Sequence, residues 1–331
     1  MSVFRALRLY QDDPATAPTL KDEQLSLDAL SPGNVTLACE YSSLNYKDAL
    51  AITGKGKIIR HFPMIPGIDA AGVVIDSDDP QFQTGDRVVL TGHGVGENHT
   101  GGMAQRVRAP GSYLVQLPKT LSTRHAMQFG TGGLTGMLCV MALMDAGVKP
   151  IDGPVLVTGA SGGVGTVATA ILSSLGYTVH AVTGRQTEAE RLTSLGAAVI
   201  ESRETFNVPA KPLESTRWAG VVDTVGGAVL AKVLAQTQYG GTVVATGNAG
   251  GIQLETTVFP FILRNIRLQG VDSVQAPQEA RERAWRLLAE HLPEQLMEGS
   301  VEVIGLAEVG LAAARLIDNQ VSGRILIDVN R

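Results

Sequence analysis

Two rhythms of apolar positions divide the chain. In the first part, short apolar and β-branched runs at 4–9, 34–41, 71–75, 87–90 and 102–108 are broken by Gly, Pro and Asp, and predict strands. Pro66-Gly67, Thr84-Gly85-Asp86 and the glycines from Gly92 to Gly102 mark the turns between them. Apolar positions at helical spacing follow at 122–130 and 132–145. From Val155 onward strands alternate with helical stretches, the strands falling at 155–158, 178–182, 198–200, 220–223, 242–245 and 266–270. That alternation predicts a parallel, doubly wound sheet. The pattern 277–291 predicts a helix with Arg and Glu on one face and Ala, Trp and Leu on the other. A strand at 301–304, a helix at 306–319 and a strand at 324–329 close the chain and are expected to return to the first domain. The fold class is therefore α/β: a barrel-like β domain at 1–122 and 295–331, and a doubly wound parallel-sheet domain at 123–294, with the active site expected in the cleft between them.

The strand Val155-Leu156-Val157 runs straight into Thr158-Gly159-Ala160-Ser161-Gly162-Gly163-Val164-Gly165, and a small-residue helix at 164–175 follows. Ala160-x-Gly162-x-x-Gly165 is the dinucleotide fingerprint with Ala in the first glycine position. Gly162 lets backbone approach a pyrophosphate, Gly165 lets the helix pack on the strand, and the helix N-terminus favours negative charge. An NAD-specific site places Asp or Glu about 20 residues further on, against the ribose 2′-hydroxyl. This chain has Thr183-Gly184-Arg185 there. Two hydrogen-bond donors and a guanidinium suit a 2′-phosphate, so the expected cofactor is NADPH.

Composition narrows the partners. A net charge of −5 offers no general attraction for nucleic acid or an anionic membrane. No apolar run of transmembrane length is expected, and the N-terminal residues do not read as a signal peptide. Two cysteines, Cys39 and Cys139, make no disulfide framework and fit a reducing cytoplasm.

Four further runs carry a family resemblance: Tyr41-Ser42-Ser43-Leu44-Asn45-Tyr46-Lys47-Asp48, Pro66-Gly67-Ile68-Asp69-Ala70-Ala71-Gly72, Gly94-Val95-Gly96-Glu97-Asn98-His99 and Pro260-Phe261-Ile262-Leu263-Arg264-Asn265. With the fingerprint, they resemble the medium-chain dehydrogenase/reductase superfamily over essentially the whole chain. Within it they are similar to a zinc-free, quinone-oxidoreductase-like branch that includes the acryloyl-CoA reductases of the YhdH type. The resemblance implies a GroES-like catalytic domain joined to a Rossmann domain. It implies a homodimer that uses NADPH to reduce a C=C bond beside a carbonyl. It also implies NADPH contacts from Tyr41, Ser161, Gly162, Gly163, Val164, Thr183, Gly184, Arg185, Arg203, Asn248, Ile262, Ser273 and Asn319. Asn248 stands where an apolar residue is usual in such relatives, and His93 where an aromatic one is expected.

Zinc-dependent members of this superfamily need a Cys/His/Cys-type metal site, which two cysteines cannot build, so no metal is expected. His93 and His99 read as polar loop residues. Reducing an activated C=C needs a hydride, donors for the charge that grows on the carbonyl oxygen, and a proton for the α carbon. Tyr41, Asn45 and Asp48 are the catalytic candidates: Tyr41 as proton source or nicotinamide contact, Asn45 as a donor beside the hydroxyls of Ser42, Ser43 and Tyr46, and Asp48 as an orienting carboxylate. A CoA ester needs cations for its phosphates. The loop Lys55-Gly56-Lys57-Ile58-Ile59-Arg60 offers Lys55, Lys57 and Arg60, with Arg264 and Arg267 as further options. Short enoyl-CoA reduction, with acryloyl-CoA as the substrate, stands first. NADPH:quinone or general enone reduction is the alternative, and a low-turnover structural or RNA-binding protein is a third reading. The 266–270 strand is expected at a sheet edge, where pairing of two copies would cover it.

Overall fold

β-branched runs bounded by turn residues become strands, and their inward positions make the core. The computed structural model describes residues 3–293, 296, 301–318, 320–321 and 323–331. The chain divides into two units: Met1–Thr131 with Val274–Arg286 and Ser300–Arg331, and Gly132–Ser273 with Leu287–Gly299.

In the first unit β1 (Val3–Tyr10) and β2 (Thr19–Ser26) form an antiparallel ribbon. β3 (Val35–Leu44) runs into α1 (Tyr46–Thr53), then β4 (Asp69–Ser77), β5 (Arg87–Thr91), β6 (Arg106–Ala109) and β7 (Leu114–Gln116). After the second unit come β14 (Val301–Ile304), α8 (Val309–Ile317) and β15 (Arg324–Asp328). The sheet order is β14-β15-β3-β4-β5-β7, with β6 also paired to β3. The ten-residue β3 lies at its centre, and Leu37, Cys39 and Leu44 on it join Val74, Val88, Leu90, Ile325 and Ile327 in one buried cluster.

The second unit holds β8 (Val155–Val157), α3 (Gly163–Ser174), β9 (Val179–Thr183), α4 (Ala189–Ser194), β10 (Ala197–Ser202), β11 (Trp218–Asp223), α5 (Gly227–Gln236), β12 (Thr237–Ala245), α6 (Phe259–Arg264) and β13 (Arg267–Gly270). Its six strands are parallel in the order β10-β9-β8-β11-β12-β13, the doubly wound order that reverses beside its first strand. Leu156, Val221 and Val243 are fully buried between the covering helices. β13 forms an edge, with all four residues exposed.

Two helical stretches expected on either side of residue 131 form one kinked helix, α2 (Thr123–Asp145), broken at Gly130 (φ 50°, ψ −145°). By length and hydropathy this helix is long enough to cross a membrane, which corrects the reading that no apolar run reaches that length. Its apolar window is 89% buried within the protein. The helix at 277–291 is α7 (Gln278–His291). β2, β7, α1, α4, α5 and α6 are additions to the sequence reading. α1 had a signal: Asn45-x-x-Asp48 has capping-box spacing, and the Asp48 carboxylate accepts from the Asn45 amide at 2.9 Å.

Candidate active site

In the second unit the end of β8 enters a tight turn. Gly162 N–H donates to the Gly159 carbonyl at 2.9 Å, and Gly162 is the N-cap of α3. A Cβ at Gly165 would lie 2.4 Å from the Gly159 oxygen, so glycine alone lets α3 approach the strand this closely. Ser161, Gly162, Gly163 and Val164 thus form a backbone cradle at a helix N-terminus. At the end of β9, Thr183 Oγ1 donates to Ser161 Oγ at 3.2 Å and accepts from the Arg185 amide at 3.1 Å. The Arg203 guanidinium lies against Gly184: a Cβ there would sit 2.9 Å from its Cζ. The Arg203 guanidinium, the Thr183 hydroxyl and the Arg185 amide therefore lie together at the end of β9, where the nucleotide fingerprint expects the adenosine ribose. Glu188, three residues past Arg185, pairs with Arg191 Nε at 2.7 Å. Arg191 also reaches the Ser161 carbonyl and Thr166 Oγ1, a link the sequence did not suggest. These groups fit NADPH: amides for a pyrophosphate and cations for a 2′-phosphate. Asn248 is exposed in the turn after β12, and Ile262 is 67% exposed on α6. Ser273 Oγ accepts from Thr135 Oγ1 at 2.8 Å. Asn319 lies outside the described residues.

In the first unit the Tyr41–Asp48 stretch folds onto a buried polar hub. Asp69, fully buried, accepts from Ser43 Oγ at 2.6 Å, Asn45 Nδ2 at 2.7 Å, Thr131 N at 2.9 Å and Thr131 Oγ1 at 2.5 Å. Arg324 donates to the Gln128 carbonyl at 3.1 Å, to Ser43 Oγ at 3.2 Å and to Asn45 Oδ1 at 3.4 Å. One group therefore serves each side of the Gly130 break: Arg324 takes a carbonyl before it, and Asp69 the first amide after it. Burial lowers the Arg324 pKa, and the carboxylates of Asp69 and Asp48 oppose that.

Asp48 accepts from the Ile68 amide at 2.9 Å, the Asn45 amide at 2.9 Å and Asn45 Nδ2 at 3.2 Å. Burial first, then Asp69, pushes its pKa up to about 7, and the donors hold it from going higher. An asparagine amide has two N–H donors. Those of Asn45 lie within 3.2 Å of Ser43 Oγ and Asp48 and within 2.7 Å of Asp69, so its nitrogen is spent inside the hub. Ser42 Oγ is likewise used, on the Asp69 carbonyl at 2.7 Å. Among the described residues, the phenols of Tyr41 and Tyr46 make no hydrogen bond.

The basic loop is anchored by Ile58 and Ile59 against the core, which leaves Lys55, Lys57 and Arg60 exposed. Lys55 meets Asp318 at 3.5 Å. Arg264, a second option for substrate phosphates, donates instead to the carbonyls of Ala235, Thr237 and Glu214, and Arg267 to that of Ala146. The thiols of Cys39 and Cys139 are both buried and pushed up to about 12 by burial. Among the described residues no three His, Cys, Asp or Glu side chains are grouped to hold a metal ion. His99 is engaged with the carbonyls of Thr100 and Pro32. His93 takes a left-handed φ of 55° and stacks on Tyr113 with ring centroids 4.3 Å apart. Burial, and then the Arg281 charge, pushes the His93 imidazole down to about 4.

Residues 31–119 match the alcohol dehydrogenase GroES-like domain family, and residues 163–290 the zinc-binding dehydrogenase family. The probable acrylyl-CoA reductase AcuI of Escherichia coli is 55% identical over 99% of this chain and 100% of its own length. The chain belongs to the AcuI/YhdH family of medium-chain dehydrogenases/reductases. The acrylyl-CoA reductase AcuI of Ruegeria pomeroyi is 50% identical over 99% of this chain and all of its own. The crystal structure of the yhdH oxidoreductase from Salmonella enterica in complex with NADP superposes with a TM-score of 0.95, at 56% identity over 98% of this chain and 99% of that one.

Proposed function

We propose that the protein is an NADPH-dependent reductase that converts acryloyl-CoA to propanoyl-CoA. The observation that carries the reading is the nucleotide site without a carboxylate at Thr183-Gly184-Arg185, backed by Arg203, in a chain that matches two acrylyl-CoA reductases end to end. NADPH, when bound, supplies a hydride to the β carbon of the substrate. The chain supplies the rest. Ser161, Gly162, Gly163 and Val164 hold the pyrophosphate, and Thr183, Gly184, Arg185 and Arg203 hold the 2′-phosphate. Asn248, Ile262 and Ser273 serve the nicotinamide side.

Tyr41, with its phenol uncommitted, contacts the nicotinamide and is the group we assign to protonate the α carbon. Asn45 and Asp48 act as positioning residues that fix the start of α1 and so the stretch that carries Tyr41. Lys55, Lys57 and Arg60 meet the phosphates of CoA. The enzyme works as a cytoplasmic homodimer: β13 is an exposed sheet edge, and Val258, Phe259, Ile262 and Leu263 beside it are exposed apolar residues that a second copy would cover.

The deciding experiment follows NADPH oxidation with acryloyl-CoA and with a simple benzoquinone. A kcat/KM above about 10⁴ M⁻¹s⁻¹ for the thioester, far above the quinone value, is expected. The reverse preference would transfer the protein to quinone reduction.

A further inference from the structure

Asp223 ends β11, is fully buried, and belongs to none of the contacts assigned above. It bonds three separate loops. Its Oδ1 accepts from Thr158 Oγ1 at 2.7 Å, at the mouth of the turn after β8. Its Oδ2 accepts from the Gly226 amide at 2.8 Å, in the loop after β11. Its carbonyl accepts from the Thr246 amide at 2.9 Å, two residues before Asn248 in the loop after β12.

Thr158 and Thr224 lock the first two loops a second time. The Thr224 amide donates to Thr158 Oγ1 at 3.1 Å, and Thr224 Oγ1 donates to the Thr158 carbonyl at 2.9 Å. The Gly250 amide donates to the Val225 carbonyl at 2.7 Å, which ties the third loop to the second.

Burying a carboxylate costs free energy unless its acceptors are filled, and an apolar core would hold three strand ends without that cost. What the carboxylate adds is direction: two acceptor oxygens fix one hydroxyl and one amide at set positions. Burial raises the Asp223 pKa, and the Thr158 hydroxyl and the Gly226 and Val225 amides oppose that rise.

We propose that Asp223 is a positioning residue for NADPH binding, registering the turn after β8 against the loops after β11 and β12 so that all three present their backbone to the cofactor together. This rests on the NADPH reading above.

The test compares full-length wild type, Asp223→Asn, Thr158→Val and Thr158→Ser. The measurements are NADPH titration by nicotinamide fluorescence, amide hydrogen exchange without cofactor, and steady-state kinetics. Asp223→Asn is expected to raise the NADPH Kd about tenfold, Thr158→Val about threefold, and Thr158→Ser to restore it. Amides at 224–227 and 246–251 should exchange faster in the first two variants, while kcat at saturating NADPH stays within about twofold of wild type. An unchanged Kd in Thr158→Val overturns the proposal even if Asp223→Asn does not fold. A lowered stability in Asp223→Asn with wild-type Kd also overturns it and leaves the NADPH reading standing. A wild-type protein that does not bind NADPH overturns both.

Discussion

In the second unit, the cradle from Ser161 to Val164 and the strand end Thr183-Gly184-Arg185 are runs of consecutive residues, and most of what they offer is backbone. In the first unit, Asp69 gathers side chains from Ser43, Asn45 and Thr131, and Arg324 reaches Ser43 across 281 residues of sequence. A site made of backbone is specified by local conformation, so its weak point is a new side chain. A site made of distant side chains is specified by the fold, and its weak point is a missing one.

The largest expected effect comes from removing the hub cation. Arg324→Met leaves Asp48 and Asp69 buried without it, which should cost about 3–5 kcal/mol in chemical denaturation. A loss below about 1 kcal/mol would mean the hub is not held electrostatically. Next is the addition of a side chain to the cradle. Gly165→Val forces carbon toward the Gly159 oxygen and should cost about 1–3 kcal/mol, with NADPH affinity falling more than about tenfold in a fluorescence titration.

Arg185→Ala and Arg203→Ala sharpen the comparison, because they are the side-chain part of the backbone site. Each should lower kcat/KM for NADPH about tenfold and leave that for NADH within about twofold; equal losses with both cofactors would sink the 2′-phosphate assignment. Charge reversal at Lys55, Lys57 and Arg60 together should raise KM for acryloyl-CoA about fivefold and leave benzoquinone turnover unaltered.

A pH slope tests the first unit in a different way. The His93 imidazole is pushed down to about 4 from 6.5, so neutral His93 stabilises the fold fully above pH 6.5. Between the two values the unfolded chain holds the extra proton, so stability falls as pH drops and the contribution is gone below about 4. His93→Phe keeps the stack on Tyr113 and should flatten that part of a denaturation-versus-pH curve; an unchanged slope assigns it elsewhere.

The same contrast explains what was legible in the sequence. The parallel sheet, the glycine turn and the strand end without an acid are visible because each is a local pattern: β-branched runs, glycines at fixed offsets, and Thr183-Gly184-Arg185 where an NAD site has a carboxylate. The break at Gly130 is visible for the same reason. The hub was not. Asn45 and Asp48 read as chemistry-bearing residues, but nothing local shows that Asp69 would take the Asn45 nitrogen, Arg324 its oxygen and Thr131 the rest of Asp69. Asp69 stood inside a quoted motif without a role, and Arg324 read as one polar position in a closing strand. β2 escaped because its sequence, Thr-Leu-Lys-Asp-Glu-Gln-Leu-Ser, is mostly polar, as befits a ribbon with largely exposed residues. α1 did carry a readable start in Asn45-x-x-Asp48, whose spacing is that of a capping box.

The distance between Ser43 and Arg324 also sets an order of events while the chain is being synthesised. β3 emerges from the ribosome well before its neighbour β15, which pairs Ile325 with Leu44 and Asp328 with Tyr41. All six strands of the parallel sheet, from Val155 to Gly270, are translated in between. The second unit can therefore complete its sheet on the nascent chain while the first still has an open edge at β3, a reversal of the usual order in which N-terminal domains fold first. Until β15 arrives, the Tyr41–Leu44 end of β3 has no strand on that side.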